Sequence, residues 1–223
     1  PGNRTSMSTR GLFITVEGGE GVGKTTNMAF LESLLRDNGV DVVVTREPGG
    51  TLLGEDIREL LLRVRDDPVC AMAELLLIFA ARAQHISDRI LPALNAGKWV
   101  LCDRFTDATY AYQSGGRGVP IEQVRQLEEL VQKGLSPDYT VLLDVPVELG
   151  MARARGRGEL DRIEQEDMEF FNRVRSMYLS LAENSSGRYH VVDASMPLDE
   201  VQRDLHKVGR ELLSCWQVRH PQT

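Results

Sequence analysis

The stretch Gly18-Gly19-Glu20-Gly21-Val22-Gly23-Lys24-Thr25 decides the fold, because it matches the phosphate-loop pattern G-x-x-x-x-G-K-[ST] at every fixed position. An apolar run, Leu12–Val16, precedes the motif, and apolar residues at helical spacing follow it from Met28 to Leu35. The motif therefore lies where a strand turns into a helix. There, glycine N–H groups can converge on phosphate oxygens, and the helix start adds the positive end of its dipole. A Gly-rich turn that only packs closely is the alternative.

Two side chains of this loop carry its expected chemistry. Lys24 is expected to reach the terminal phosphates, and Thr25 is expected to hold a magnesium ion. The complete set of residues predicted to bind the phosphate donor is Gly18, Gly19, Glu20, Gly21, Val22, Gly23, Lys24, Thr25 and Thr26.

The composition indicates one globular domain with neither a nucleic-acid nor a membrane surface. The chain has 223 residues and a net charge of -7, which argues against the clustered basic face of a nucleic-acid binder. No apolar run approaches the ~18 residues of a membrane span. The three cysteines are too few for a disulfide framework, which indicates a reducing, cytoplasmic compartment. We interpret residues 1–10 as a leader or vector-derived segment, 11–213 as the domain and 214–223 as a tail.

Apolar runs alternate with helical patterns along the chain, and this alternation predicts an α/β fold with a doubly wound five-stranded parallel sheet. The predicted strands are 12–16, 40–44, 98–102, 139–145 and 189–193. Helices are predicted from the phosphate loop to about 38, over 53–65, 71–96 and 121–133, after Pro146, and over 163–183 and 198–213.

Charged residues follow two of the strands at their C-terminal ends, where ligands bind in open α/β sheets. Arg46 and Glu47 follow the second strand beside a Pro-Gly turn, and Asp103 and Arg104 end the third. Asp103 suits magnesium coordination, directly or through water, and Arg104 suits bidentate binding of a substrate phosphate. A solvated turn and a surface ion pair are the respective alternatives.

The long helical segment and the stretch after the third strand hold further candidates. Phe79 and Arg82 share a helical face, although a core Phe beside a snorkelling Arg is an equal alternative. His85 is expected to pack or to lie at the surface rather than act as a base. The polar and aromatic stretch Thr106–Gln113, followed by a flexible segment Ser114–Gly118, suits recognition of a flat polar ring.

The stretch at about 153–163 is the most basic in the chain, with four arginines interrupted by two glycines. We interpret it as a mobile cationic lid that stabilises a transferring phosphoryl group and excludes water. On a regular helix Arg153 and Arg157 would share a face, whereas Arg155 would point away. A solvated helix face balanced by nearby carboxylates is the alternative.

Six segments together resemble bacterial thymidylate kinases, which phosphorylate dTMP to dTDP with MgATP. They are EGGEGVGKTT (17–26), TREPGGT (45–51), FAAR (79–82), DRF (103–105), AYQSGGRG (111–118) and RARGRGELDRIEQE (153–166). The resemblance implies a nucleoside monophosphate kinase fold, ATP as co-substrate, Mg²⁺, dTMP as acceptor, and a homodimer formed through the long helices after residue 53. A kinase for another deoxynucleoside monophosphate and a non-catalytic nucleotide-binding switch are the alternatives.

The resemblance also implies roles for individual residues. Phe79 would stack on thymine, with Gln113 and Thr109 at the base edge, while Tyr112 would lie against C2′ of the sugar. Glu20 would meet the 3′-hydroxyl or a magnesium-bound water. The substrate-binding residues implied are Glu20, Arg46, Pro48, Leu53, Arg58, Phe79, Arg82, Arg104, Thr109, Tyr112 and Gln113.

The transition-state cation is expected to come from the lid. Some relatives place an Arg inside the phosphate loop, but residues 19–22 of this chain contain none. Arg153 and Arg157 are therefore the first choices, with Arg155 and Arg162 in reserve. Phe105 stands where many relatives have Tyr, which removes a hydroxyl. The catalytic residues implied are Lys24, Arg104, Arg153, Arg157 and Glu20.

Overall fold

A computed structural model describes residues 10–156 and 158–219, with side chains as far as Trp216. Arg157, nearly all of the expected leader and the end of the expected tail lie outside the described residues. Five parallel strands form one sheet in the order β2-β3-β1-β4-β5, which confirms the predicted doubly wound α/β fold. The strands are β1 Phe13–Glu17, β2 Val42–Arg46, β3 Trp99–Asp103, β4 Tyr139–Asp144 and β5 Tyr189–Asp193.

The central strand β1 is buried along its whole length, because it is flanked by strands on both sides and by helices on both faces. Its side chains alternate between two cores. Ile14 and Val16 pack in one core with residues of the helix that follows the phosphate loop. Phe13 packs in the other against Phe105, with ring centroids 4.9 Å apart. The strand that leads into the phosphate loop is therefore the best anchored part of the sheet.

Nine α-helices surround the sheet within the described residues. They are α1 Lys24–Asp37, α2 Leu52–Leu62, α3 Ala71–His85, α4 Leu91–Asn95, α5 Thr106–Thr109, α6 Ile121–Gln132, α7 Val147–Arg155, α8 Met168–Glu183 and α9 Leu198–Arg219. Two π-helical turns continue α3 and α5, over Ile86–Ile90 and Tyr110–Gly116. The single helix predicted over 71–96 is therefore α3, a π-helical turn and α4. None of the described helices is long and apolar enough to cross a membrane.

The segment Ser114–Gly118 was predicted to be flexible, and this prediction is wrong. Its first three residues belong to the second π-helical turn, which packs against α8. A Cβ atom on Gly116 would come within 2.4 Å of the Phe170 ring, and one on Gly115 within 2.9 Å of Met177 Cβ. The glycines therefore permit close packing of two helical segments.

Helix α8 also begins later than predicted. The Asp167 side chain accepts a hydrogen bond of 2.7 Å from the backbone N–H of Phe170, and this cap fixes the helix start at Met168. Residues 163–166 form turns before the cap.

Candidate active site

The phosphate loop connects β1 to α1 through glycines that adopt conformations other residues avoid. Gly21 and Gly23 have φ values of 69° and 84°. A Cβ atom on Gly21 would lie 1.8 Å from the carbonyl oxygen of Gly150, so the loop also packs tightly on α7. Lys24 Nζ lies 3.3 Å from the carbonyl oxygens of Gly18 and Gly19, and its ammonium group therefore folds back over the loop.

A cavity of about 470 Å³ opens in front of this loop. It is enclosed by the loop, the C-terminal ends of β2 and β3, helices α2 and α3, the α5 segment with its π-helical turn, and residues 159–164. The predicted site residues that line it are Glu20, Gly21, Val22, Gly23, Lys24, Thr25, Pro48, Arg58, Arg82, Asp103, Arg104, Thr109, Tyr112 and Gln113. The described site residues that do not line it are Gly18, Gly19, Thr26, Arg46, Leu53, Phe79 and Arg153.

One side of the cavity, here called the phosphate wall, consists of residues 20–25 with Asp103 and Arg104. Arg104 has a φ of 67°, a left-handed conformation that is uncommon outside glycine and marks functional sites. Its backbone N–H donates to the carbonyl oxygen of Val16 over 3.0 Å. This backbone turn brings its side chain back to the loop, where Arg104 Nη2 donates to Glu20 Oε1 over 2.6 Å.

Glu20 joins Arg104 to Tyr112. The Tyr112 hydroxyl donates to Glu20 Oε1 over 2.7 Å, and the Arg104 guanidinium lies 4.5 Å from the Tyr112 ring centroid. Burial by itself raises the pKa of Glu20, but the positive charges of Arg104 and Lys24 and the Tyr112 hydrogen bond lower it to about 2. Glu20 is therefore a carboxylate at neutral pH and holds Arg104 in place.

The opposite side, here called the helix wall, consists of Glu74, Ile78, Arg82, Thr109 and Gln113. The first three follow one another at intervals of four along α3 and therefore lie on one face of that helix. Glu74 and Ile78 were not among the predicted site residues, although their spacing from Arg82 was a signal available in the sequence.

Arg82 is fixed by a buried network behind the helix wall. Its Nε donates to Glu47 Oε2 over 2.7 Å, and its Nη2 donates to Thr109 Oγ1 over 2.8 Å. His85 Nδ1 lies 2.9 Å from Glu47 Oε1, and His85 Nε2 lies 2.6 Å from Thr45 Oγ1. Arg82 Nη1 is buried and has no hydrogen-bond partner among the described residues. One nitrogen of the guanidinium is thus left for a ligand. His85 is the packing residue that the sequence predicted.

Phe79 lies in the core rather than in the cavity. Only 2% of it is exposed, and it packs with Leu75 beneath the Arg82 guanidinium, which lies 4.7 Å from its ring centroid. The FAAR motif places Phe79 and Arg82 three residues apart, but the row that faces the cavity has a spacing of four and includes Ile78 instead. The helix wall therefore presents an aliphatic side chain where the sequence predicted an aromatic one.

Arg46 faces away from the cavity. It forms an exposed ion pair of 2.7 Å with Glu55, and that hydrogen bond raises the pKa of Arg46. Arg58 instead lines the cavity, where its Nη1 donates to the carbonyl oxygen of Pro48 over 3.1 Å. Of these two predicted phosphate ligands, only Arg58 lies where it can contact a ligand in the cavity.

The described arginines of the basic stretch have different partners. Arg153, on α7, donates to the carbonyl oxygen of Ala194 over 2.9 Å, and so lies over the loop that follows β5. Arg162 lines the cavity, donates to the carbonyl oxygen of Leu61 over 2.7 Å and forms an ion pair with Glu74. Helix α7 ends at Arg155, which is exposed, so residues 159–164 cover the cavity as irregular backbone.

The residues expected to hold Mg²⁺ fit that role. Thr25 and Asp103 both line the cavity, and Asp103 Oδ1 is buried without a hydrogen-bond partner in the described part of the chain. The described residues contain no cluster of three or more His, Cys, Asp or Glu side chains that could hold a metal by themselves. Mg²⁺ commonly takes one or two protein oxygens together with substrate phosphates and water, and this pair of residues suits that arrangement.

Among the functions of phosphate-loop proteins, a second set of cations facing the loop favours phosphoryl transfer. Comparison with known proteins identifies the family. The thymidylate kinase family model matches residues 16–205. The chain belongs to the thymidylate kinase family. This finding confirms the resemblance predicted from the sequence motifs and the expectation that the protein is a phosphotransferase.

Individual thymidylate kinases match nearly the whole chain. The thymidylate kinase of Teredinibacter turnerae is 57% identical over 197 residues, which cover 88% of this chain and 96% of that relative. The thymidylate kinase of Ectopseudomonas mendocina is 58% identical over 205 residues, covering 92% of this chain and 98% of that relative. The crystal structure of thymidylate kinase from Ehrlichia chaffeensis superposes with a TM-score of 0.73 at 36% identity, covering 90% of this chain and 99% of that one.

Proposed function

We propose that this protein transfers the γ-phosphoryl group of ATP to dTMP, giving dTDP and ADP. The observation that carries the proposal is that one cavity holds both Lys24 of the phosphate loop and two further arginines, Arg58 and Arg104. Transfer between two nucleotides requires two phosphate sites within reach of each other, whereas hydrolysis requires only one. Membership of the thymidylate kinase family supports dTMP as the acceptor.

On the donor side, the loop binds the ATP phosphates through its backbone N–H groups. Lys24 leaves the carbonyl oxygens of Gly18 and Gly19 and pairs with the terminal phosphates, which are stronger partners for an ammonium group. Thr25 and Asp103 would hold Mg²⁺, and a bound Mg²⁺ would supply positive charge next to the phosphate oxygens.

On the acceptor side, Arg104 and Arg58 bind the phosphate of dTMP. Arg104 is oriented by its left-handed backbone and held by Glu20. The side chain is therefore already ordered before the substrate binds, which lowers the entropy cost of binding. Tyr112 lies beside Arg104 and is held by the same carboxylate, and this position next to the proposed phosphate site supports a contact of its ring with the sugar.

An arginine of the lid is proposed to stabilise the phosphoryl group during transfer. Arg157 is outside the described residues and stays a first candidate for the cation that stabilises the transferring phosphoryl group, with Arg153 second. Arg153 would have to leave the carbonyl oxygen of Ala194 to reach the cavity. We expect Arg157→Ala to lower kcat more than dTMP affinity, because a cation used in the transition state acts on kcat.

The proposed assembly is a homodimer formed through α2 and α3. Helix α2 exposes Leu52, Leu53 and Leu60, and α3, which packs against α2, exposes Met72 and Leu76. Exposed apolar side chains on neighbouring helices are of the kind that subunit contacts cover. Light scattering after size exclusion should give the mass of a dimer for the unmodified chain.

A charge placed on this surface tests the assembly. Leu76→Glu should shift the mass toward the monomer, whereas the matched control Leu198→Glu, at the exposed first residue of α9, should not. A monomeric mass for the unmodified chain would contradict the assembly.

The function is tested by measuring ADP release with MgATP and a panel of deoxynucleoside monophosphates. We expect release to rise with dTMP and to exceed the rate with every other acceptor. The control reaction contains MgATP and water only. ADP release that does not depend on dTMP would overturn the proposal, and a higher kcat/KM for another monophosphate would reassign the substrate.

A further inference from the structure

Glu74 lies at the point where the helix wall meets the lid. Its carboxylate is 1% exposed and is contacted by three side chains from different parts of the chain. Gln113 Nε2 donates to Glu74 Oε1 over 2.9 Å, and Arg117 Nε donates to the same oxygen over 3.2 Å. Arg162 Nη2 donates to Glu74 Oε2.

The protonation state of Glu74 decides what Gln113 can do. Burial alone raises the pKa of Glu74, but the Arg162 hydrogen bond and the charges of Arg117 and Arg162 outweigh it and lower the pKa. Glu74 is therefore ionised, and an ionised carboxylate only accepts hydrogen bonds. It can hold the NH₂ group of the Gln113 amide but not the amide oxygen.

The orientation of the Gln113 amide follows from chemistry, although the two ends of an amide are nearly alike in shape. Its NH₂ group is held by Glu74, so its carbonyl oxygen is left to accept a hydrogen bond at the cavity that Gln113 lines. Arg82 Nη1, on the same wall, is a donor with no hydrogen-bond partner in the described ranges 10–156 and 158–219. The helix wall therefore offers one acceptor and one donor to a ligand.

This pair matches one kind of pyrimidine edge. Thymine presents an acceptor at O4 and a donor at its N3–H, whereas cytosine presents a donor at N4 and an acceptor at N3. A site that hydrogen-bonds the correct edge rejects the wrong one because its own buried polar groups are then left unpaired. Arg82 can only donate and therefore opposes the amino group of cytosine in every case. The part of the rejection that can change is the one made by Gln113, which depends on its amide being unable to turn over.

We propose that Glu74 is a specificity-determining positioning residue, which selects a 4-oxopyrimidine over a 4-aminopyrimidine by fixing the amide of Gln113. The inference rests on the proposed function, because it concerns the acceptor nucleotide of that reaction. It predicts that the choice of base depends on Glu74, which acts on the base only through its hydrogen bond to Gln113.

Glu74→Gln tests the proposal, since the substituted amide can face Gln113 with either its oxygen or its NH₂ group. Gln113 can then turn over and donate to N3 of cytosine, which removes one of the two groups that reject this base. We expect the ratio of kcat/KM for dTMP to kcat/KM for dCMP to fall at least about tenfold. The expected change is mainly a higher KM for dTMP and a lower KM for dCMP. Any change in kcat should be by the same factor for both substrates.

The ratio is the informative readout, because Glu74→Gln also weakens the contacts of Arg117 and Arg162. A looser lid would slow both acceptors alike and would leave their ratio unchanged. The matched control is Glu166→Gln, which removes the other ion pair of Arg117, 2.5 Å long, without touching Gln113. Its ratio should equal that of the unmodified protein.

The exchanged pair Glu74→Gln with Gln113→Glu provides a rescue. Residue 113 is then a carboxylate that can only accept, so dTMP should again be preferred at least as strongly as in the unmodified protein. This double variant keeps one carboxylate in the buried pair and supplies the test if Glu74→Gln does not fold.

Each failure has a separate meaning. If the unmodified protein does not phosphorylate dTMP, the proposed function is wrong. If it does, but Glu74→Gln keeps the original ratio, or the exchanged pair accepts dCMP as readily as dTMP, then Glu74 does not set the choice of base.

Discussion

Each wall of the cavity carries an arginine paired with a glutamate, but the two pairs differ in their access to solvent. On the phosphate wall, the side chains of Arg104 and Glu20 are 17% and 15% exposed. Behind the helix wall, the side chains of Arg82 and Glu47 are 1% and 4% exposed. A charge pair that reaches solvent leaves its arginine accessible to an incoming phosphate, whereas a buried pair is held by the cost of exposing either charge alone.

The difference matches what each wall has to recognise. A phosphate group is charged and is recognised mainly by positive charge, so an arginine that keeps some access to solvent serves it. The edge of a base is neutral and is distinguished only by which atoms donate and which accept, so it needs groups that cannot turn. The phosphate wall supplies charge, and the helix wall supplies hydrogen-bonding groups of fixed orientation. Substitutions on each wall test this contrast.

The largest effect is expected on the phosphate wall. Lys24→Ala removes the cation that pairs with the terminal phosphates, and kcat should fall by about 10³-fold or more. The melting temperature should change little, because within the described part of the chain Lys24 donates hydrogen bonds only to two loop carbonyl oxygens, and both bonds are 3.3 Å long. Steady-state rates and a thermal melt of the same preparation check both statements. Turnover close to that of the unmodified protein would remove Lys24 from the mechanism.

Glu47→Gln should lower the stability of the protein, because it breaks the buried ion pair behind the helix wall. Glu47 accepts from both Arg82 and His85, and an amide can accept only through its one oxygen. Arg82 would keep a buried charge without its counter-ion, so the free energy of unfolding should fall by about 3 kcal/mol. Urea denaturation measures this loss.

The matched control for Glu47→Gln is Glu55→Gln, which breaks the exposed Arg46–Glu55 pair. Exposed pairs contribute little, so the loss should stay below about 1 kcal/mol. Equal losses in the two variants would show that burial does not distinguish the pairs.

Glu17, which ends β1, connects the stability of the phosphate wall to pH. Burial, followed by the negative charge of Asp107, raises the pKa of Glu17 to about 8 from a usual value of 4.5. The folded protein therefore holds this proton more tightly than the unfolded chain. The stabilisation is fully present below pH 4.5 and is lost as pH rises through about 8.

Glu17→Gln should remove that dependence, because glutamine does not titrate. Between pH 4.5 and about 8, the free energy of unfolding of the unmodified protein should decline relative to that of Glu17→Gln by up to about 1.4 kcal/mol per pH unit. Urea denaturation at pH 5, 6, 7 and 8 checks the slope. Parallel curves for the two proteins would show that Glu17 has an ordinary pKa.

Glu20→Gln should have the smallest effect of the four. The amide still accepts from Tyr112 or from Arg104, but the charge that steadies Arg104 is lost. We expect kcat/KM for dTMP to fall about tenfold, equivalent to ~1.4 kcal/mol of transition-state stabilisation. Tyr112→Phe removes one hydrogen bond to Glu20 and keeps the ion pair, so it should cost less. A larger loss for Tyr112→Phe would assign the positioning of Arg104 to the hydroxyl.

The sequence by itself determined the features that depend on local chemistry. A glycine-rich loop between a strand and a helix predicts a phosphate site wherever it occurs, because its backbone N–H groups form that site without help from distant residues. The alternation of strands and helices predicted the parallel sheet. Asp103 and Arg104 were found because the carboxyl ends of parallel strands meet at one edge.

Only the tertiary structure decided which side chains of α3 and of the basic stretch reach the cavity. Phe79 and Ile78 are adjacent in sequence, and the packing of α3 against α6 turns Phe79 into the core. Arg153 and Arg162 are both arginines of the basic stretch, yet one contacts the loop after β5 and the other contacts Glu74. The physical reason is that a motif fixes residue types and spacing, whereas the face that a helix buries depends on contacts between residues far apart in the chain.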